Sequence, residues 1–496
     1  MKKYLLLLTI LVLGTACNDY LDVKPSSEID KDVLFATEEG FYESMVGIYS
    51  RCAEEDLYGG ELSFGLPDVL AQNYSIGTSD FFRYRPAMQY NYEDQDFIAR
   101  KNRLWAGLYN AISNCNILLE KLEEKKAVFR DANTAKLIKG EALAIRAYLH
   151  FDALRLFAPS HAQGAGEAGI PYVTSFTNKV TPREPVAGVL DKIIADLLEA
   201  KALLKEADPI VTEGYVVGYT LNGDANDLPD DGSTEELNEL FLQNRRHRMN
   251  YYAVCGSLAR VYLYKEDKQK ALEHALEVIN SGKLQWTKKE DFITDDPQLK
   301  DRILYKELVF AWYIPARKDH LRTRFEHLSN STSTYASEGN LIFETGGPGA
   351  EDLRYKQWLK EDSDGLFNRL YVQKYRRDDN EGNLHHLVAP GLRLSEMYYI
   401  AAECVFDADP AQAWEYFNLV RFNRGIGSRV EGENSREFFL NELIKEGRKE
   451  FFGEGQIFYM YKRLHRNIVG QSGSIYAASN SIFVLPLPDD EISFGQ

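Results

Sequence analysis

The chain has 496 residues, 44% of them hydrophobic and 12% aromatic, and a net charge of −17. This composition supplies a large buried core and excludes a disordered or fibrous protein. The acidic balance argues against nucleic acid as a partner, because binding a phosphate backbone needs a basic face.

At the N-terminus Lys2 and Lys3 precede an apolar run, Tyr4 to Leu13, and then Gly14-Thr15-Ala16-Cys17. A charged start, a short apolar stretch and small residues before a cysteine read as an export signal. The run is too short for a membrane-spanning helix. One reading is an ordinary secretory signal with an incidental cysteine. The sharper one is a bacterial lipoprotein signal over residues 1–16, cleaved before Cys17, whose thiol then carries lipid. Gly14 stands where such signals usually place leucine, and Leu13 lies one residue earlier. Residues 17–37, opening CNDYLDVKPSSEID, are polar and proline-broken and read as a tether.

Helical periodicity then dominates, and residues 38–496 read as one domain. Residues 38–52 predict a first helix and 97–126 a long amphipathic one. Ala132 to Phe157 predicts another, ended by Pro159, and Pro185 to Lys205 follows. The clearest pattern is 250–280. Leu258, Ala259 and Tyr262 share a face, a polar turn follows at Lys265-Glu266-Asp267, and Ala271, Ala275 and Val278 face back. Small residues let two helices approach closely, as in a tetratricopeptide unit. A weaker copy spans 394–424, with Ile400, Ala401, Ala413, Phe417 and Val420.

Three long irregular segments, 53–96, 206–245 and 281–390, interrupt the helices. The first holds SDFFRYRPAMQYNY at 79–92, whose aromatics keep neither a helical nor a strand period and whose Pro86 bars a continuous helix. The second holds NGDANDLPDDGSTEEL, acidic and aromatic-poor, read as a mobile insertion. The third holds Trp286, Trp312, Tyr313, Trp358, Tyr371 and Tyr375, with strand-like runs at 307–314 and 369–375. The tail, SIFVLPLPDDEI, predicts an extended segment packed on the body.

Chemistry-bearing motifs are sparse. HExxH, GxSxG and Walker A sequences do not occur. GAGEAG at 164–169 matches GxGxxG but follows a helix and runs into Ile170-Pro171, the wrong context for a dinucleotide site, so it reads as a loop. Cys52, Cys115, Cys255 and Cys404 are far apart without a CxxC pair. Buried free thiols fit that spacing better than zinc, with one disulfide left open. His385-His386 is the only close histidine pair, and His320 and His327 lie in the third irregular segment. Asp362 with Asp364, and Asp230-Asp231, do not complete a calcium loop. No carboxylate pair stands out for glycoside hydrolysis. No catalytic residue, metal or cofactor is therefore expected.

Several blocks, in order, carry a resemblance. They are CNDYLDVKP, LWAGLYNAISNCNILLEKL, GEALAIRAYLHFDALRLFA, GIPYV, TPREPVAGVLDKIIADLLEA, RMNYYAVCGSLARVYLY, GLRLSEMYYIAAEC, VRFNRGI, LIKEGRKEFFGEG and FVLPLPDDEI. Their order and wording resemble the SusD/RagB family of Bacteroidota surface lipoproteins, over nearly the whole mature chain. The resemblance implies a mainly α fold. Four tetratricopeptide-like helix pairs would form one side, and long irregular loops with a few short strands the other. It implies a surface-exposed protein, held in the outer membrane only by its lipid. Such a protein captures oligosaccharide and delivers it to a TonB-dependent, SusC-like transporter without bond chemistry. A peptide-binding importer subunit, a secreted glycoside hydrolase and a structural helical adaptor are the alternatives.

The resemblance also suggests where ligand binds: in the loop before the LWAGLY helix, residues 72–92, and in the later irregular segment, about 286–325. A sugar ring has an apolar face and a rim of hydroxyls, so aromatics cover the first and polar side chains hold the second. Each aromatic contact adds about 0.5–1.5 kcal/mol by analogy with aromatic pairs. Phe81, Tyr84, Tyr90, Tyr92, Trp312 and Tyr313 are the stacking candidates. Asn73, Asp80, Arg83, Arg85, Arg317 and His320 are the hydrogen-bonding candidates, and Arg83 and Arg85 also suit a carboxylate or sulfate. Packing of the loops onto the helices competes with ligand contact for each aromatic. Trp105, Tyr109 and Tyr262 sit on helical faces and read as core.

Overall fold

The computed structural model describes residues 31–494 apart from 77–79, 178, 219–232, 297–299, 326–337, 364–367, 377–386, 432–434 and 472. The export signal, Cys17, most of the acidic insertion with Asp230-Asp231, His327, Asp364 and His385-His386 lie outside the described residues.

Helix α1 (Glu38–Cys52) begins where the Thr37 hydroxyl accepts the Gly40 N–H at 3.2 Å. Glycine is required at 40, because a Cβ there would lie 1.6 Å from the Leu34 carbonyl oxygen. Helix α2 (Gln95–Glu124) is capped by Asp94. It buries Leu104, Leu108, Ile112, Cys115 and Leu119, which recur every three or four residues along one face. Helix α3 (Ala132–Phe157) is capped by Asp131 and stops before Pro159. From Gly140 to Phe157 it is buried on all sides, the mark of a central helix, so its polar residues need internal partners. Glu141 accepts from Tyr49 Oη at 2.7 Å and from Arg245 Nη1 at 2.6 Å.

Helix α4 (Val186–Ala207) follows Pro185. Helices α5 (Tyr251–Tyr264) and α6 (Lys268–Ile279) form the expected hairpin, and Asp267 caps the second. Helix α7 (Lys318–Phe325) lies in the third irregular segment. Helices α8 (Leu394–Val405) and α9 (Pro410–Asn423) form another hairpin, and α10 (Arg436–Glu450) follows. The long helices pack consecutively, α1 on α2, then α3, α4, α5, α6, α8 and α9, with α10 against α8. Among the described residues no helix is long and apolar enough to cross a membrane.

The strands form short antiparallel ladders: β1 (Ala168–Pro171) with β2 (Arg183–Pro185), β3 (Leu308–Tyr313) with β6 (Val388–Arg393), β4 (Leu359–Ser363) with β5 (Asn368–Val372), and β7 (Ile468–Val469) with β8 (Ile475–Tyr476). The β3–β6 ladder is buried on both faces except at Tyr313. Gly391 makes room for the Phe310 ring, which a Cβ would meet at 2.6 Å. The GAGEAG loop leads into β1 rather than out of a strand.

The first irregular segment is not a surface loop. Every residue from Leu57 to Tyr74 is buried, in short helices at Glu61–Phe64 and Leu66–Leu70. Asp68 pins it to a distant turn, accepting from the N–H groups of Gly453 (2.9 Å) and Gly455 (2.6 Å) and from Asn73 Nδ2 (2.7 Å). Burial pushes the Asp68 carboxyl up to about 6. Arg85–Met88 is a single helical turn with Pro86 in its first positions, where proline costs no hydrogen bond. The tail packs on the body as expected but is extended only over residues 484–488, between short helices at Asn480–Phe483 and Asp489–Phe494. Leu485 is buried and its N–H donates to the Leu156 carbonyl at 2.9 Å, and Lys101 donates to the Leu487 carbonyl at 3.0 Å.

The principal hydrophobic core runs from Phe35 to Leu485, and a satellite around Phe406, Trp414, Phe417 and Phe439 joins α8, α9 and α10. Buried ion pairs tie α10 to the irregular side. Arg424 donates to both oxygens of Glu307 (3.0 and 2.5 Å) and to Glu450 (2.8 Å), and Arg354 donates to Glu450 (3.0 Å) and Glu446 (2.8 Å). Cys52, Cys115 and Cys255 are buried free thiols and Cys404 is a half-buried one. Burial pushes the Cys115 thiol up to about 12, which makes it inert.

Candidate functional site

A cleft of about 420 Å³ opens between the turn at 80–84, the first turns of α2, the segment around Glu55 and Glu61, and α7. The turn is set by Asp80. Its carbonyl accepts the Arg83 N–H at 3.0 Å and its carboxylate accepts the Arg85 N–H at 2.6 Å. Arg83 adopts a left-handed backbone with φ 53°. In this turn Phe81 is 62% exposed, and its ring meets Phe82 edge-on at 5.1 Å.

Beneath the cleft the polar groups form one chain. Arg100, from α2, donates to Glu61 and to the Phe82 carbonyl and lies 4.1 Å from the centre of the Tyr84 ring. The Tyr84 hydroxyl donates to Glu61 at 3.1 Å and accepts from Arg324 Nη1 at 2.9 Å. Arg324 lies 4.3 Å over the Phe82 ring and donates from Nη2 to His320 Nε2 at 3.1 Å. A guanidinium only donates, so His320 Nε2 accepts and its proton sits on Nδ1, 3.6 Å from Glu55. Burial, then Arg324 and Arg317, lower the His320 imidazole to about 3, so the ring is neutral at ordinary pH.

At the surface Arg83 pairs with Asp96 at 2.8 Å. Arg103 lines the same cleft. The Thr323 hydroxyl donates to the Asp319 carbonyl at 2.9 Å. The cleft thus offers an exposed ring, guanidinium donors and carboxylate acceptors. That set is complementary to a hydroxyl-rich molecule with an apolar face.

Of the residues expected from the sequence, Phe81, Arg83 and His320 line this cleft, and Asp80 shapes its turn. Arg317 pairs with Glu54 at 2.9 Å, beside Glu55. Tyr313 is 39% exposed but lies against His247, at 5.6 Å, outside the cleft lining.

The other expectations are corrected by burial. Trp312 is 1% exposed, stacked on Tyr58 at 4.3 Å, and offers no face to a ligand. Tyr84 is buried under the cleft as the anchor of Arg100 and Arg324. Tyr92 is buried, stacked on Phe97 at 4.5 Å, and donates to the Ile482 carbonyl at 2.6 Å. Tyr90 is half-buried, donates to the Leu70 carbonyl at 2.7 Å and packs against Tyr476. Asn73 is fully buried between Asp68 and Arg448. Each is packed against an internal partner, and for Asn73, Tyr84 and Tyr92 a hydrogen-bond partner, Arg448, Arg324 or the Ile482 carbonyl, lies far off in sequence.

Sequence reasoning missed Glu55, Glu61, Asp96, Arg100, Arg103 and Thr323. Asp96, Arg100 and Arg103 carry a legible signal, because they recur at four and three residues and so share one face of α2. Glu55 and Glu61 carry none.

A mainly helical protein with a stacked helical side and a ligand-sized cleft among its irregular segments belongs to a recognisable class. The chain belongs to the SusD family: residues 221–490 match the model described as "SusD family". Residues 19–212 match a second model, described as "Starch-binding associating with outer membrane". A SusD-like protein P2 from Formosa agariphila is 24% identical, over 99% of this chain and 97% of its own. Among solved structures, a SusD superfamily protein from Bacteroides thetaiotaomicron is similar with a TM-score of 0.71 and 24% identity, covering 92% of this chain and 98% of its own. The surface glycan-binding protein A of the same organism, solved in complex with laminarihexaose, has a TM-score of 0.64 and 16% identity over 92% and 97% of the two chains. These structural likenesses concern the fold.

Proposed function

We propose that the protein is a surface-exposed, lipid-anchored glycan-binding protein of the outer membrane. It captures oligosaccharide and passes it to a TonB-dependent, SusC-like transporter, with no bond chemistry of its own. The observation that carries this reading is the exposed Phe81 ring set in one cleft with Arg83, Arg103 and Glu55, on the fold of a SusD-family chain. Phe81 stacks on a sugar face, while Arg83, Arg103 and His320 Nδ1 donate to hydroxyls and Glu55 accepts from them. Family membership and the description of the model matched by residues 19–212 support the outer-membrane setting.

Calorimetric titration of the purified chain with a panel of oligosaccharides tests the reading. Saturable binding without product release is expected. Released product would make the protein a hydrolase, and binding to peptides alone would move it to a different cargo. For the anchor, Cys17→Ala is expected to abolish palmitate labelling and shift the chain from the membrane to the soluble fraction. Unchanged labelling would overturn the lipid site.

A further inference from the structure

Arg324 is fully buried, and among the described residues no carboxylate lies within ion-pair distance of it. Its donors go elsewhere. Nη1 reaches the Tyr84 hydroxyl at 2.9 Å, while Nε and Nη2 both converge on His320 Nε2, at 3.3 and 3.1 Å. The guanidinium also lies 4.3 Å over the Phe82 ring. Burying a cation without its own counter-ion is costly, and a neutral donor would serve to hold the ring in place. What a guanidinium adds is a fixed proton arrangement. It has no acceptor, so the Nε2–H form of His320 is barred and the proton stays on Nδ1.

The Nδ1–H faces the cleft. It stands 3.6 Å from Glu55 Oε1, beyond hydrogen-bond length, and both residues line the cleft. Among the described residues Nδ1 has no acceptor and the Glu55 carboxylate no hydrogen-bond donor. The other charged groups of the cleft face the pair from three elements. Glu61 lies in the segment below, Arg83 on the turn, and Asp96, Arg100 and Arg103 on α2. Arg83 is taken by Asp96 and Arg100 by Glu61, and on the approach to α7 Arg317 is taken by Glu54. Burial first, then the charges of Arg324 and Arg317, oppose a second proton on the His320 ring.

A fixed donor and an acceptor 3.6 Å apart suit one kind of atom. A hydroxyl oxygen at about 2.8 Å from each accepts from one and donates to the other. A carboxylate cannot donate to Glu55, and an ammonium cannot accept from His320.

We propose that Arg324 is the positioning residue of this site: it holds His320 as a neutral Nδ1–H donor opposite Glu55, and the two together read one ligand hydroxyl. The hydroxyl half of the proposal rests on the glycan-binding reading of the cleft, while the role of Arg324 does not.

Nitrogen NMR of the full mature chain with 15N-labelled histidine tests the positioning without any ligand, His320 being assigned from the spectrum of His320→Gln. A protonated Nδ1 and a bare Nε2 are expected, unchanged between pH 8 and pH 5.5. In Arg324→Met the ring is expected to exchange between its two neutral forms and to take a second proton at higher pH than in the unaltered protein. Calorimetry with neutral hexasaccharides of glucose, xylose and mannose tests the hydroxyl. Arg324→Met and His320→Leu are each expected to weaken the tightest-bound sugar about two- to tenfold, the worth of one hydrogen bond. His320→Asn, which keeps an N–H donor close to the place of Nδ1, is expected to bind better than His320→Leu. A protonated Nε2 in the unaltered protein, or an Arg324→Met chain that keeps both the ring form and the affinity, would overturn the proposal. If no hexasaccharide binds, the hydroxyl falls together with the glycan reading, and the ring form still decides the role of Arg324. If Arg324→Met does not fold, the spectra of the unaltered protein at the two pH values decide it.

Discussion

Phe81 and Trp312 show how burial divides one chemistry into two roles. Phe81 stands at the cleft rim with 62% of its surface in solvent, whereas Trp312 has 1%. Phe81→Ala is expected to weaken oligosaccharide binding by about 0.5–1.5 kcal/mol and to move stability by less than about 0.5 kcal/mol. Trp312→Ala is expected to cost about 3–5 kcal/mol of stability through its cavity. Calorimetry and urea melts on the two variants separate the roles, and the reverse pattern would refute the assignment. His320 adds a pH signature. Its folded value is lowered to about 3, against about 6.5 in an unfolded chain. The unfolded ring takes its proton first, so the stability the neutral ring contributes is complete above about 6.5 and lost as the pH falls toward about 3. The stability gap between the unaltered protein and His320→Gln is therefore expected to narrow between pH 7 and pH 4. A gap that stays constant would mean the ring titrates normally.

Among the elements, the α5–α6 hairpin was the most legible in the sequence, and its structure shows why. Ala271 and Ala275 are fully buried, and the Tyr262 ring stacks on His274 at 5.6 Å across the pair. A helix that buries small residues every fourth position writes its face into its spacing. Ala275→Leu is expected to overpack this seam and cost about 1–3 kcal/mol, read as a lower urea midpoint at unchanged slope. The segment 53–96 was illegible for the complementary reason. Its turns are too short to show a period, and the burial of Leu57 to Tyr74 rests on partners such as Gly453 and Gly455, almost four hundred residues away. The same distance hid the anchoring roles of Asn73, Tyr84 and Tyr92.

At the scale of the whole molecule, the two sides are held together by charge as well as by apolar packing. Glu450 receives Arg354 and Arg424 where nothing reaches solvent, and those arginines hold its carboxyl well below the usual range. Glu450→Ala leaves two guanidiniums without that partner in the interior. The expected cost is about 3–5 kcal/mol, the range for breaking a buried pair from one side. The neighbouring Glu446 is lowered to about 2, so the stability it contributes is complete above the unfolded value of about 4.3 and falls away as the pH drops toward about 2. Denaturant melts of Glu450→Ala at neutral pH check the first figure. A loss under about 1 kcal/mol would show that the arginines find other carboxylates.

The sequence by itself determined the helical blocks, their caps and stops, the two small-residue hairpins and the family. These depend on residues within a few turns of one another, and helical periodicity and capping are local physics. It also marked the stretch 79–92 as the place to look, because its aromatics and arginines serve no local period. Only the tertiary structure decided which of them face outward. Phe81 and Arg83 reach the cleft while Tyr84 and Tyr92 turn inward, because Arg324, Glu61 and the Ile482 carbonyl, brought from distant parts of the chain, claim their hydroxyls or rings first.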